Sequence, residues 1–191
     1  MKPFLKNMLL VGFFLTMLTG CADDRISRKF PCRFTLYTTY HNPCMILTAI
    51  TSANYPVIVS VKKNSNGLVQ IYETDRTDKQ EVLNVTNEVE SRAYSDGIYL
   101  GANNSIIVCQ ESYDAKMVAY DGQCPNCINE NSNRNYPLQF YGTAMQVKCS
   151  HCGRIYSLDY GSVLSGAKNG DRLMEYAVSY DATHGRLYIG N

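Results

Sequence analysis

The most informative stretch of the chain, residues 121–152, reads DGQCPNCINENSNRNYPLQFYGTAMQVKCSHC. It contains two Cys-x-x-Cys pairs, here called the first and second cysteine hooks: Cys124 with Cys127, and Cys149 with Cys152. Each hook holds two sulfurs on one tight turn, so the two hooks together can supply a tetrahedral shell of four thiolates, with Zn–S distances of about 2.3 Å. The spacing predicts metal-binding loops at residues 121–130 and 147–156.

The N-terminus predicts export. Lys2 and Lys6 precede an apolar run over residues 8–18, which is the layout of a secretory signal and is short for a membrane span. The run closes with Leu18-Thr-Gly-Cys21, which resembles the lipobox of bacterial lipoproteins, in which the cysteine is lipidated and begins the mature chain. A plain signal peptide with a coincidental cysteine is the alternative.

The lipobox resemblance sets the predicted organisation of the chain. Residues 1–20 are then a lipoprotein signal peptide, Cys21 is the lipidation site, and residues 21–29 are a lipidated tether. This implies a protein anchored to a membrane of the bacterial cell envelope, inner or outer. Residues 30–191 have the length of a single domain.

Composition excludes one class of partner. The formal net charge is +1, and no basic tract occurs. Nucleic-acid binding needs a concentrated positive surface, so no nucleic-acid partner is expected.

Most of the remaining sequence is typical of short strands. Three hairpins are predicted from apolar runs separated by turn residues. Their strands are residues 57–61 with 68–72, residues 106–110 with 116–120, and residues 173–180 with 186–189. Residues 85–93 fit a short helix instead. The predicted class is all-β, an antiparallel sandwich or small barrel with one short helix at most.

The second hook and its surroundings resemble the second half of a Rieske domain. Residues 147–166 read VKCSHCGRIYSLDYGSVLSG and are followed by a final hairpin, while residues 119–125, AYDGQCP, resemble the strand that leads into the family's first cluster loop. The resemblance covers roughly residues 95–191. It implies a Rieske-like β-sandwich, to which residues 30–94 would add strands, with a small metal-binding subdomain.

The chain departs from the family where the cluster would bind. Rieske loops carry Cys-x-His and Cys-x-x-His, so that two histidines hold one iron. Here Asn126 stands at the first histidine position and Cys152 at the second, while His151 lies between the ligands. The hooks are similar to the knuckles of zinc ribbons and rubredoxins, so a Rieske centre is not expected.

Three states are open to the four cysteines, two with a metal and one without. Zinc accepts a closed cysteine shell readily and is normally structural there, and it is the leading prediction. The alternative is iron, as a single rubredoxin-like ion or a [2Fe–2S] cluster. Disulfides are the third reading, because an exported chain meets an oxidising environment.

The other cysteines and the histidines carry weaker signals. Cys32 and Cys44 could form a disulfide or remain two buried thiols, and Cys109 is expected to pack in the core.

The three histidines are expected at the surface: His41, His151 and His184. Five acidic residues are expected on a solvated face: Asp75, Asp78, Glu81, Glu88 and Glu90. The polar stretch 126–135, together with Tyr136 and Pro137, is expected to be a loop at the lip of the metal site.

Two functions follow from these features. The leading one is a lipid-anchored envelope module without enzymatic activity, in which zinc has a structural role and an unidentified protein is the partner. The alternative is an envelope electron carrier with iron and a redox partner. No catalytic residues are predicted, because no triad, HExxH motif or carboxylate pair occurs.

Overall fold

The computed structural model describes residues 25–143, 145–166 and 172–191. Its described part is mostly β, with short helices, which confirms the predicted class. The predicted signal peptide and the predicted lipidation site Cys21 lie outside the described residues. In the described part, no helix combines the length and the apolar character needed to cross a membrane.

The described strands and helices follow in chain order. The strands are β1 Cys32–Tyr37, β2 Val57–Lys63, β3 Val69–Thr74, β4 Gln80–Asn84, β5 Tyr99–Leu100, β6 Ser105–Gln110, β7 Met117–Asp121, β8 Leu138–Phe140, β9 Gln146–Cys149, β10 Ile155–Ser157, β11 Val163–Ser165, β12 Glu175–Asp181 and β13 Arg186–Gly190. The α-helices are α1 Met45–Thr51, α2 Glu88–Ala93 and α3 Pro125–Glu130.

Two antiparallel sheets are present. The large sheet has nine strands in the order β4-β3-β2-β6-β7-β12-β13-β1-β5, and the small sheet has four in the order β11-β10-β9-β8. All three predicted hairpins are confirmed, as β2–β3, β6–β7 and β12–β13. In the first of them Gly67 has φ +78°, which glycine adopts without steric cost.

Strands β6 and β7 lie between two hydrophobic cores. Ile106 and Val108 face the main core of the large sheet, whereas Ile107 and Cys109 face the core that contains the cysteine hooks. This explains why residues 106–109 are apolar without alternation, since both faces are covered. Cys109 is fully buried, which confirms the prediction that it packs in the core.

Two helices were not predicted from the sequence. Only α2 was expected, and it begins after Asn87, whose side chain accepts a hydrogen bond from the Glu90 backbone N–H at 2.9 Å. Helix α1 lacks such a local cap. Glu73 of β3 accepts the backbone N–H groups of Met45 at 3.2 Å and Ile46 at 2.9 Å. A cap supplied by a distant strand leaves no signal in the local sequence.

The prediction of a solvated acidic face is wrong for two of its five members. Glu90 is completely buried and accepts hydrogen bonds from the Tyr37 backbone N–H and from the Asn87 side chain. Asp75 is 8% exposed, and its carboxylate accepts bonds from the Thr77 backbone and hydroxyl in the β3–β4 turn. These carboxylates are buried because polar groups of the fold bind them.

The prediction that His41 lies at the surface is wrong. Its side chain is only 9% exposed, and its Nε2 lies 2.8 Å from the buried Glu90 carboxylate. His184 lies in the β12–β13 turn as predicted, exposed and 2.6 Å from Asp181.

The end of the predicted tether lies against the domain. The Ser27 backbone N–H donates to the Glu175 carbonyl at 2.8 Å, and the Asn191 side chain donates to the carbonyls of Ser27 and Phe30 at 2.7 Å. The described body therefore begins before residue 30.

Cys32 and Cys44 are both buried, and both are free thiols in the structure. Burial raises the pKa of Cys32 to about 12 and that of Cys44 to about 11, so both remain protonated at neutral pH. A disulfide between them stays a prediction.

Candidate metal centre

The first hook begins helix α3. Cys124 precedes the helix in extended conformation, Pro125 occupies its first turn, and Cys127 follows within that turn. Proline suits this place because its missing N–H is not needed there. The predicted polar loop over residues 126–135 is therefore wrong in its first half, which is helical.

The second hook forms the turn between β9 and β10. Cys149 ends β9, and the Gly153 backbone N–H donates to its carbonyl at 2.9 Å. Gly153 has φ +74°, so the turn needs a residue that tolerates the left-handed region. The Cys149 N–H donates to the Arg154 carbonyl at 3.0 Å, and this bond closes the turn that contains Cys152.

Backbone pairing brings the two hooks together. Cys124 N–H donates to the Tyr136 carbonyl at 2.8 Å, so the chain after α3 returns to the first hook. Two residues later β8 begins, and its Leu138 pairs in register with Cys149 of β9. The first hook is thus linked to the second through one short strand.

The four sulfurs have the geometry of a single-ion site. All four lie within 4.8 Å of one another. The Cys124 and Cys152 sulfurs are 3.7 Å apart, and so are those of Cys127 and Cys149. A tetrahedron with Zn–S bonds of about 2.3 Å has edges of about 3.8 Å, so the donors fit one ion. All four are free thiols in the structure.

Burial differs among the four ligands. Cys124, Cys127 and Cys149 are buried, and Cys152 is exposed. The buried sulfurs share a hydrophobic cluster with Tyr156, whose hydroxyl lies 3.3 Å from the Cys124 sulfur. Three of the four sulfur-bearing residues therefore lie in the protein interior, and Cys152 lies at the surface.

The local environment shifts the thiol pKa values of Cys124, Cys127 and Cys152 in different directions. Burial raises the pKa of Cys124 to about 11, although the Tyr156 hydroxyl opposes the shift, and burial also raises the pKa of Cys127. Burial acts in the same direction on Cys152, but the Arg154 backbone N–H and the neighbouring sulfurs outweigh it and lower its pKa. Cys152 therefore ionises before Cys124 and Cys127.

His151 lies beside the site. It is exposed, its Nδ1 is 3.4 Å from the Cys127 sulfur, and its ring centroid is 4.8 Å from that of Tyr136. Its surface position was expected, and its ring nitrogen is also placed to contact the sulfur of a candidate ligand. The Asn126 side-chain amide donates to the Glu130 carboxylate at 3.1 Å.

One residue near the centre was missed by sequence reasoning. The Tyr156 hydroxyl lies 3.3 Å from the Cys124 sulfur, and with 15 tyrosines in the chain residue type alone does not single it out. Tyr136, which was expected at the lip of the site, contacts the His151 ring. His41 and His184 make their polar contacts elsewhere, with Glu90 and Asp181.

Comparison of the chain with protein-family models, with curated proteins and with solved structures found no match.

Proposed function

We propose that this chain is a lipid-anchored protein of the bacterial cell envelope in which one zinc ion, bound by the two cysteine hooks, has a structural role in a non-enzymatic binding module. The observation that carries the proposal is the set of four sulfurs within 4.8 Å of one another. An all-sulfur set favours a soft or borderline metal such as zinc or iron over calcium or magnesium.

A structural role is supported by the closed shell. Four protein ligands leave no open position for water or substrate, which catalytic zinc requires. The ion would also join helix α3 to the β9–β10 turn, two elements that share few backbone contacts. The strands of the small sheet have only three or four residues each, so they gain from a cross-link.

A mononuclear site is supported by the sulfur distances. A two-iron cluster separates sulfurs that bind different irons more widely than a single ion does. Here all four sulfurs lie within 4.8 Å of one another.

The Rieske-like frame and the anchor belong to the same proposal. A large antiparallel sheet, with a smaller sheet that carries the second hook and a short helix that carries the first, supports the frame. The lipobox-like Leu18-Thr-Gly-Cys21 supports the anchor.

The electron carrier is the second candidate. Cys152 is exposed, and an iron thiolate at the surface would give a redox partner access to the metal. This role requires iron in the same shell.

Elemental analysis and absorption spectroscopy of the purified protein separate the two candidates. We expect one zinc per chain and a colourless protein. A red or brown protein with thiolate-to-iron absorption would replace the structural role with electron transfer. Intact mass measurement of membrane-extracted protein tests the anchor separately, because cleavage before Cys21 and a diacylglyceryl group change the mass together.

A further inference from the structure

A cleft of about 560 Å³ lies on the large sheet. Its floor is the outer face of β12, β13 and β1, and Ala93 of α2 lies at its wall. Strand register places Tyr188 between Ser179 and Thr35, and the next pair of positions places Arg186 between Asp181 and Tyr37. The volume is within the range of small-molecule sites.

Arg186 places a positively charged side chain in this cleft. It is exposed, and among the residues that the structure describes it has no hydrogen-bond or ion-pair partner. The Asp181 carboxylate, its neighbour across the strands, is bound by the His184 side chain and by the Thr183 backbone N–H. Arg33, the other cation of the cleft, is bonded to Asp96 at 3.1 Å. The Arg186 guanidinium is therefore the group available to an anion.

Tyr188 supplies an exposed ring beside this cation. The ring is 41% exposed, and its register partners Ser179 and Thr35 have short side chains that leave it accessible. It extends over Gly190, where an added Cβ would collide with the Tyr188 hydroxyl. Glycine at residue 190 thus lets the ring lie along the sheet.

Hydroxyl groups dominate the rest of the lining. Four side chains of the outer face contribute them: Thr35, Tyr37, Ser179 and Tyr188. A hydroxyl both donates and accepts hydrogen bonds, so the lining suits a ligand that carries many hydroxyls itself. The guanidinium suits a carboxylate, which it can bind through two parallel hydrogen bonds.

We propose that this cleft binds an acidic saccharide, with the carboxylate of a uronic-acid residue on Arg186 and a sugar ring against Tyr188. An extended peptide fits less well, because β13 pairs with β12 on one side and β1 on the other and has no free backbone edge. The proposal is independent of the metal and of the anchor.

Titration calorimetry of the mature chain tests this site. The probes are α-1,4-linked trigalacturonate and, as the neutral counterpart, maltotriose. We expect trigalacturonate to bind and maltotriose to bind about tenfold more weakly or not at all, because a hydrogen bond to a charged group contributes strongly to binding. Arg186→Gln should lower the affinity for trigalacturonate about tenfold and remove the preference for the acidic probe.

Arg76→Gln is the matched control, because Arg76 is exposed on the β3–β4 turn and should leave the affinity unchanged. The Arg186 side chain is exposed and has no polar partner within the described part of the chain, so its variant is expected to melt like the wild type. Tyr188→Phe keeps the ring and should retain most of the affinity.

Three results would overturn the proposal: equal binding of both probes, no binding at millimolar concentration, or an affinity of Arg186→Gln for trigalacturonate equal to that of the wild type. Tighter binding of pentaglutamate than of trigalacturonate would overturn it in favour of an acidic protein partner.

Discussion

At the residue scale, each cysteine of the two hooks has a role that its neighbours decide. Cys149 is buried, ends β9 and has its sulfur 3.7 Å from that of Cys127. Cys109 lies in the same hydrophobic cluster but outside the hooks. The two residues therefore allow the same substitution to be compared with and without a metal ligand.

Cys149→Ser should abolish stoichiometric zinc binding and lower the free energy of unfolding by about 4 kcal/mol or more, because loss of a structural metal removes folding free energy directly. Zinc content by elemental analysis and the melting temperature are the measurements. Cys109→Ser is the control: it also buries a hydroxyl, but it should keep one zinc per chain. A Cys149→Ser protein with unchanged zinc and melting temperature would rule out the structural role.

Glu111 is a buried carboxylate with incomplete hydrogen bonding. One oxygen accepts the Tyr160 backbone N–H at 3.0 Å, and the other has no partner within the described part of the chain. Burial raises the pKa of Glu111, with Asp114 adding to the shift, while the Tyr160 N–H and Lys116 oppose it. The folded state therefore holds this proton to higher pH than the unfolded state does.

The Glu111 shift predicts a pH dependence of stability. An unfolded glutamate has a pKa of about 4.3, so the stabilisation by protonated Glu111 is complete below that pH and is lost as pH rises through the higher folded-state pKa. Glu111→Gln should reduce this loss, as measured by urea unfolding from about pH 4 to about pH 7. Glu88→Gln, at an exposed position, should keep the wild-type slope. Identical slopes for Glu111→Gln and the wild type would contradict the assignment.

At the element scale, helix α1 depends on a residue outside itself. Cys44 precedes the helix but makes no side-chain cap, and Glu73 of β3 binds the first backbone N–H groups instead. The helix also buries Met45, Ile46, Ala49 and Ile50 against the large sheet. Packing and the remote cap together account for a seven-residue helix, which is too short to be stable alone.

Glu73→Ala should destabilise the protein by about 2–4 kcal/mol, because two buried N–H groups lose their acceptor. Amide hydrogen exchange at Met45 and Ile46 should accelerate more than exchange in β6. Glu81→Gln is the matched control, since Glu81 is the register partner of Glu73 and its side chain is partly exposed. The control should change stability by no more than about 0.5 kcal/mol. Unchanged exchange in α1 would show that packing alone maintains the helix.

At the scale of the whole molecule, the two sheets have separate cores that share strands β6 and β7. The main core has its own large side chains, such as Phe34, Leu36 and Ile71. The second core depends on Cys124, Cys127 and Cys149 together with the side chains of the short strands. Loss of the metal should therefore affect the two sheets unequally.

A strong zinc chelator should increase hydrogen exchange in α3 and in β8 to β11, while β2, β3 and β13 keep their protection. The physical reason is that the large sheet is stabilised by longer strand pairings and by its own hydrophobic core. The small sheet, in contrast, would lose the metal that links it to helix α3. Exchange mass spectrometry with and without the chelator measures the difference. Equal loss in both sheets, or no loss in the small sheet, would contradict this division.

Part of the metal site was predictable from local sequence. The Cys-x-x-Cys spacing identified four ligands that the structure brings within 4.8 Å of one another. It did not reveal that the first hook begins a helix, because Asn126 and the polar residues after it are typical of loops. Nor could it reveal that the Cys124 sulfur lies 3.7 Å from that of Cys152, and the Cys127 sulfur 3.7 Å from that of Cys149, because these contacts depend on the pairing of β8 with β9.

By itself, the sequence determined the all-β class, the three hairpins and the ligand set, because chain connectivity and local turn chemistry act over a few residues. Only the tertiary structure decided that Glu73 caps α1, that Glu90 and His41 pair away from solvent, and that Arg186 lies in a cleft without a polar partner among the described residues. These features arise from contacts between distant segments. Their stability depends on which polar groups packing removes from water and which partners it provides, and no local pattern records either.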